Sequence, residues 1–195
     1  MQRAISTHRM DKPCPKEWER SCRLKDGRTL LIRPIRPDDE TLYPKFLEGV
    51  TPEDLRLRFF GPVKKFNHAF IARFTQFDRA RAAAFVGIEE ASGDLIGVGR
   101  LHRLAGGMSN HAEFAILVRS DLKGHGLGWI LMETLISYAR RERIAVIEGE
   151  VLVENSTMLK MCREFDFHIV VSPNDSEVRV VKLVLDQAGA MAPVT

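Results

Sequence analysis

The stretch RSDLKGHGLGWILMETLISYARRER, residues 119 to 143, places three glycines at alternate positions directly before a helix-like pattern. Apolar residues recur at 3.6-residue spacing after the glycines, and three arginines lie where the helix would end, at the negative end of its dipole. Alternate glycines allow successive backbone amides to point at one anion at a helix N-terminus. The stretch therefore predicts a phosphate-binding loop, although a plain strand-to-helix turn, which needs only one glycine, is an alternative.

Two common phosphate-binding motifs do not match this loop. A Walker loop needs four residues between its first glycine and a Gly-Lys-Ser/Thr ending, which the stretch lacks. A dinucleotide fingerprint reads G-x-G-x-x-G, whereas Gly124, Gly126 and Gly128 give G-x-G-x-G. The loop also follows a run of antiparallel strands, which disfavours a Rossmann start. A pyrophosphate held by the loop amides at the helix N-terminus remains as the predicted ligand.

The segments around the loop predict an α/β (α+β) fold: a mixed, mostly antiparallel sheet of about seven strands with helices on both faces. Strand-like runs separated by turns cover residues 27–35, 81–90, 95–103, 111–118, 145–154, 167–172 and 178–185. Helical patterns fill 37–60 and continue to about residue 74, and a short helix is predicted from Ser156 to Phe165. The glycine loop lies in a succession of strand, loop, helix and strand, which implies that the two strands are parallel. The loop then lies at the carboxyl end of the first strand, where ligands bind in open α/β sheets.

The length and charge of the chain limit its domain organisation and the kinds of ligand or partner it can bind. The 195 residues predict one domain at 23–185, with a poorly ordered extension at 1–22 and a tail at 186–195. The net charge is +3, but ten Lys/Arg face four Asp/Glu within residues 1–36, an excess that suits a phosphorylated ligand or an acidic partner. No nucleic-acid-binding signature accompanies it. Three cysteines without metal-type spacing and the lack of a long apolar run favour a cytoplasmic protein without disulfides, metal or membrane contact.

The sequence resembles the GNAT N-acetyltransferase superfamily. The superfamily's pyrophosphate loop reads Gln/Arg-x-x-Gly-x-Gly/Ala, and KGHGLG is similar, with Lys123, Gly126 and Gly128 at matching positions. VENSTMLKMCREFDF, residues 153–167, resembles the segment in which an asparagine caps a helix and contacts coenzyme A. LKDGRTLLIRPIRPDDE and LRLRFFGP look like the catalytic domain of bacterial Pat-type protein lysine acetyltransferases. Lys123 departs from the usual Gln or Arg, and Asp166 stands where the superfamily usually has glycine.

The resemblance implies acetyl-CoA as the cosubstrate. Amides near the end of the strand before the loop would bind the pantetheine arm and polarise the thioester carbonyl, provided that the parallel strands separate beyond Val118. For His125, simple solvent exposure is an equal alternative to phosphate contact. The residues expected to contact the coenzyme are Ile116, Leu117, Val118, Lys123, Gly124, His125, Gly126, Leu127, Gly128, Trp129, Asn155 and Met158.

Glu113 is the predicted general base. A lysine amine, with a pKa of about 10.4, arrives protonated and has to lose a proton. Glu113 is the only acid in the apolar strand HAEFAILV, where a buried carboxylate is costly unless it is paired or functional. The Pat resemblance supports this role, because those enzymes carry a glutamate at the matching position of AEFA. Structural pairing with an arginine such as Arg100 is the alternative, and Glu150 is the reserve candidate.

Together these features predict an acetyl-CoA-dependent N-acetyltransferase in which a primary amine attacks the thioester directly in a ternary complex. The helix after Asn155 lacks the tyrosine that many relatives use as a general acid, but a thiolate of pKa about 8.5 can leave without one. The favoured acceptor is a protein lysine, for example of an acyl-CoA synthetase. Acetylation of a small amine or amino acid, and a non-catalytic acyl-CoA sensor, are the alternatives. The protein is expected to be a monomer or a homodimer.

Overall fold

The computed structural model describes residues 16–62, 66–105 and 110–185. The strands in these ranges are β1 (Arg20–Arg23), β2 (Thr29–Pro34), β3 (Ala82–Glu89), β4 (Leu95–Arg103), β5 (His111–Val118), β6 (Val146–Leu152), β7 (His168–Val171) and β8 (Val178–Val184). The α-helices are α1 (Tyr43–Glu48), α2 (Pro52–Phe59), α3 (His68–Thr75), α4 (Leu127–Arg141) and α5 (Ser156–Glu164). Short 3-10 helices cover Lys16–Trp18, Pro37–Leu42 and Ser120–Leu122.

The strands form one eight-stranded sheet in the order β1-β2-β3-β4-β5-β6-β8-β7. Neighbouring strands are antiparallel except β5 and β6, which are parallel. The predicted fold, a mixed and mostly antiparallel sheet flanked by helices, is confirmed, with one strand more than the seven expected.

The additional strand, β1, corrects the prediction that residues 1–22 form a poorly ordered extension. All four residues of Arg20–Arg23 pair with β2. Trp18, just before this strand, packs edge-on against Phe85 of β3, with 5.7 Å between ring centroids. Residues 16–22 therefore belong to the folded unit, because strand pairing and an aromatic contact hold them. Residues 1–15 and the predicted tail at 186–195 lie outside the described residues.

Helices from different parts of the chain cover the two faces of the sheet. α1, α2 and α3 enclose one core with the N-terminal strands, in which Phe46 and Val86 are buried. α4 and α5 enclose the other core, where Leu131 and Leu135 of α4 are fully buried. α4 packs on β3, β4 and β5, and the loop of residues 119–126 joins the carboxyl end of β5 to its first turn.

β5 and β6 are paired over only three residues, from His111 opposite Val146 to Glu113 opposite Glu148. Past this point β5 stays paired with β4 on its other side, and β6 stays paired with β8. The two parallel strands therefore diverge directly after Glu113 and not, as the sequence analysis assumed, beyond Val118. A cleft opens in the middle of the sheet.

Phe114, the first residue of β5 past the divergence, fills the space beside β6. Its ring contacts the ring of Phe167 at 5.4 Å between centroids and lies against Gly149 of β6. A Cβ at position 149 would be 2.8 Å from Cε1 of Phe114, a distance that real side chains do not tolerate. Gly149 thus allows the Phe114 ring to stay buried where the two strands part.

Replacing Gly149 by alanine is predicted to lower the free energy of unfolding by about 1 to 3 kcal/mol, because the added methyl group overpacks the site of Phe114. Urea denaturation followed by circular dichroism measures the change. Gly61→Ala is the matched control, since no heavy atom lies within 4 Å of the Cβ it would add, and a change below about 0.5 kcal/mol is expected there. Equal destabilisation by the two substitutions would contradict this account of Gly149.

Candidate active site

A cavity of about 730 Å³ opens between the diverged strands. β5 lines it from Glu113 to Val118, the loop before α4 lies at one end, and α5 and β6 provide further walls. α2 reaches the same cavity, through Asp54 and Arg58 among others. The cavity is large enough for the reactive arm of a coenzyme-sized ligand.

The loop of residues 119–126 enters α4 through two glycines with left-handed backbone. Gly124 has a φ of 82°, and Gly126, the N-cap of α4, has a φ of 102°; residues with a side chain rarely adopt such values. No side chain caps the helix, and the amides of residues 124–129 donate no hydrogen bond to any described residue. Six consecutive donors are therefore available to an anion at the positive end of the α4 dipole.

Lys123, a predicted phosphate contact, is held by α2. Its ammonium forms an ion pair with Asp54, whose other carboxylate oxygen accepts a hydrogen bond from the Ser120 hydroxyl. The amide of Thr51, the N-cap of α2, donates to Ser120 Oγ at 2.8 Å. Burial alone would raise the pKa of Asp54, but the hydrogen bonds from Lys123 and Ser120 outweigh it and hold the pKa below its ordinary value. A phosphate bound at the loop would therefore share Lys123 with an ionised carboxylate.

Alternation along β5 decides which of its amides reach the cavity. The Arg119 amide donates to the Ile96 carbonyl at 2.9 Å, and the His111 carbonyl accepts from Leu104 at 3.0 Å. Ile96 belongs to β4 and Leu104 directly follows that strand, so odd-numbered residues along β5 direct their backbone groups towards β4. Even-numbered residues direct theirs to the opposite side, from which β6 has moved away.

This alternation separates the three residues predicted to bind the pantetheine arm. Ile116 and Val118 direct their amides into the cleft, and both residues line the cavity. Leu117 directs its amide to β4, so it lines the cavity without offering a backbone donor to it. Two amide donors one strand repeat apart therefore face the cleft.

Glu113 lies where the strands diverge, and its side chain lines the cavity. The residue is exposed, so the expectation of a costly buried carboxylate is wrong. Among the described residues its carboxylate forms no ion pair or hydrogen bond, and Arg100, the alternative partner, donates instead to the Arg73 carbonyl at 2.9 Å. Burial lowers the pKa of Arg58, and the nearby Glu113 carboxylate acts in the opposite direction.

Asn155 and Met158 lie together on the α5 side of the cavity. Asn155 is the N-cap of α5, and its Oδ1 accepts a hydrogen bond from the Met158 amide at 3.1 Å. Both residues line the cavity, as does Glu150, the reserve candidate for the base, which is exposed. The local capping geometry expected from the sequence is therefore present at the predicted position.

The other residues predicted to contact the coenzyme near the start of α4 differ in which of their groups are accessible to a ligand. The Leu127 side chain is buried in the core, so only its amide is available to a ligand. Trp129 is 40% exposed, and its ring packs at a tilt of 32° against Phe165, with 4.2 Å between centroids. His125 is partly exposed and lies 3.5 Å from Asp26, measured between Nδ1 and Oδ2. The position of His125 fits both alternatives that the sequence left open, contact with a phosphate and simple exposure to solvent.

Arg23 and Lys25 line the cavity beside the loop, a position that sequence reasoning missed. They lie at the turn between β1 and β2, where the Lys25 amide donates to the His125 carbonyl at 3.2 Å. The ammonium of Lys25 forms no ion pair with any described residue. The excess of basic residues within positions 1–36 was a signal for them, but a charge count does not show which of these residues reach the loop.

The described residues give little support to a cysteine nucleophile, a metal site or a membrane-spanning helix. Cys162 is fully buried, and burial raises the pKa of its thiol to about 12, so it is a core residue and not a nucleophile. No group of three His, Cys, Asp or Glu residues in the described ranges is arranged to hold a metal ion. None of the helices described is both long enough and apolar enough to cross a membrane.

Comparison with known proteins agrees with the geometry of the cleft. The family model of the acetyltransferase (GNAT) family matches residues 51–167. An acetyltransferase of Pseudomonas aeruginosa is 30% identical over 162 residues, which cover 83% of this chain and 87% of that protein. The GNAT domain of S. lividans PAT is 28% identical, with a TM-score of 0.80 over 88% of this chain and 99% of that domain. A mutant cAMP-binding acyltransferase from Mycobacterium smegmatis is 26% identical, with a TM-score of 0.59 over 88% of this chain and 49% of that protein.

Gly126→Ala is predicted to weaken coenzyme A binding roughly tenfold, because alanine at a φ of 102° strains the loop that orients the amides. Isothermal titration with coenzyme A measures the change. Gly93→Ala is the matched control, since Gly93 has a φ of 74° in the turn between β3 and β4, away from the cavity. It should lose stability while binding coenzyme A normally. Unchanged affinity in Gly126→Ala would show that the loop is only a turn.

Proposed function

The chain belongs to the GNAT acetyltransferase family and is an acetyl-CoA-dependent N-acetyltransferase, and we propose that its acceptor is a protein lysine and its general base Glu113. The observation that carries the proposal is the cleft between β5 and β6, which has unpaired amides at one end and an accessible carboxylate at the other. The similarity to the GNAT domain of S. lividans PAT supports a protein lysine over a small amine.

The loop end of the cleft binds the phosphates of the donor. The amides of residues 124–129 hold the pyrophosphate, because they are unpaired and lie at the positive end of the α4 dipole. Lys123 adds a positive charge, which it shares between the phosphate and Asp54. Arg23 and Lys25 extend the positive field of the cavity on the side of the β1–β2 turn and are available to a further phosphate of the donor.

The amides of Ile116 and Val118 hold the pantetheine arm as an additional strand beside β5 and orient the thioester. An amide at this edge polarises the thioester carbonyl and stabilises the oxyanion that forms when the amine attacks the carbonyl carbon. The carbon–sulfur bond then breaks, and the thiolate leaves without a dedicated acid because its pKa is about 8.5. The oxyanion thus forms next to the donors that β5 keeps free of strand pairing.

Glu113 takes the proton that the amine loses. An incoming lysine is cationic, so an exposed carboxylate at the mouth of the cleft attracts it. When donor and acceptor fill the cleft they exclude water, and a low-dielectric setting disfavours both the ammonium and the carboxylate. Proton transfer from the amine to Glu113, directly or through one water, then yields the neutral nucleophile.

The unmodified protein is predicted to release free thiol from acetyl-CoA only when an amine is present, and faster with a lysine-containing peptide than with a free amino acid. A thiol-release assay, run beside isothermal titration with acetyl-CoA, measures turnover and binding separately. Tight binding without thiol release for any amine would contradict the enzyme and favour a sensor. Preference for the free amino acid would refute the lysine proposal and leave the acetyltransferase intact.

Glu113→Gln is predicted to lower kcat by well over tenfold while leaving the affinity for acetyl-CoA nearly unchanged, because the amide cannot accept the proton. Steady-state kinetics and isothermal titration measure the two quantities. Glu150→Gln is the matched control, since Glu150 is also exposed and lines the same cavity. If only Glu150→Gln loses kcat, the base is Glu150. If neither substitution lowers kcat tenfold, the proposed carboxylate base is wrong.

A further inference from the structure

Phe60 combines an exposed ring with a backbone conformation that phenylalanine avoids. It is the C-cap of α2, with a φ of 60° and a ψ of 20°, and its amide donates to the Arg56 carbonyl at 2.8 Å. Left-handed backbone is costly for a bulky residue and free for glycine, which normally ends helices in this way. The neighbouring Gly61 does not occupy the left-handed position. Strain of this kind often marks a functional position.

The ring of Phe60 has no structural role in the cores. Phe60 belongs to neither hydrophobic core, and 44% of its surface is exposed. Its neighbour Phe59 packs against Phe70 and Phe74 at 5.7 and 6.1 Å between ring centroids. Phe60 has no such ring contact within the described part of the chain. Packing therefore explains Phe59 and leaves the strained residue beside it without a structural explanation.

The position of α2 places Phe60 in the same cavity as Glu113. The first turn of α2 is tied to the phosphate loop, through Asp54 to Lys123. Arg58, two residues before Phe60, also lines this cavity. α2 therefore lies along the cavity, and its C-cap residue Phe60 forms part of the wall of the space that contains Glu113.

We propose that Phe60 determines acceptor specificity by packing its ring against the aliphatic stem of the incoming amine, so that a long-stemmed amine such as a lysine side chain is preferred. This inference rests on the proposed function. An aromatic ring in the cavity that also holds Glu113 suits the two parts of a lysine, with the methylenes on the ring and the nitrogen at the carboxylate. Each methylene group removed from water strengthens binding by up to about fourfold.

Phe60→Gly is the test, because it removes the ring and the strain together. With Nα-acetyl-lysine amide as acceptor, KM is expected to rise about tenfold, with kcat and the affinity for acetyl-CoA nearly unchanged. The midpoint of thermal unfolding is expected to stay equal or to rise, because glycine adopts the left-handed conformation freely. Phe60→Asn should raise KM in the same way, since asparagine also tolerates the left-handed conformation. Phe60→Tyr, which keeps an aromatic ring, should have the KM of the unmodified protein.

A shorter acceptor gives a second readout. The analogue of 2,4-diaminobutyric acid has two methylenes fewer, so the unmodified protein should prefer the lysine derivative in kcat/KM by roughly tenfold, and Phe60→Gly should largely lose this preference. Phe60→Gly with an unchanged KM and an unchanged preference would overturn the inference alone. An unmodified protein that acetylates neither amine would contradict the proposed function, and the inference with it.

Discussion

The early end of the pairing between β5 and β6 is the constraint on which the site depends. The two parallel strands share only three residue pairs, and after Glu113 the even-numbered amides of β5 have no partner strand. Unpaired strand amides normally lie at the edge of a sheet, whereas here they line a cleft in its middle. The Phe114 ring beside Gly149 occupies the point of divergence, so core packing and the binding cleft depend on the same two residues.

α2 lies along this cleft. Its first turn holds Lys123 and Ser120 of the phosphate loop through Asp54, and Arg58 of its last turn lines the cavity together with Glu113. A donor phosphate that drew Lys123 away from Asp54 would change the contacts at the first turn of the helix that ends at Phe60. Under the proposals made above, donor binding and acceptor recognition would act on the same helix of eight residues.

Local patterns were readable from the sequence, and long-range pairings were not. Features that depend on neighbouring residues could be predicted: the glycine loop, the periodicity of α4 and the Asn155 cap. Asp166 stands at a position usually held by glycine, and it has a left-handed φ of 60°, which aspartate tolerates. β1 escaped prediction because a four-residue strand rich in charge shows no alternation. The exposure of Glu113 depends on how the sheet and the helices pack around the cavity, and the ion pair of Lys123 with Asp54 joins residues 69 positions apart. No sequence spacing reports either feature.

A crystal structure of the protein with bound acetyl-CoA tests the central claim most directly. The account predicts that the pantetheine arm lies between β5 and β6, with an amide oxygen or the thioester oxygen within about 3.2 Å of the Ile116 or Val118 nitrogen. The pyrophosphate should lie on the amides of residues 124–129. A coenzyme bound outside the cleft, or one whose arm leaves these β5 amides unpaired, would contradict it.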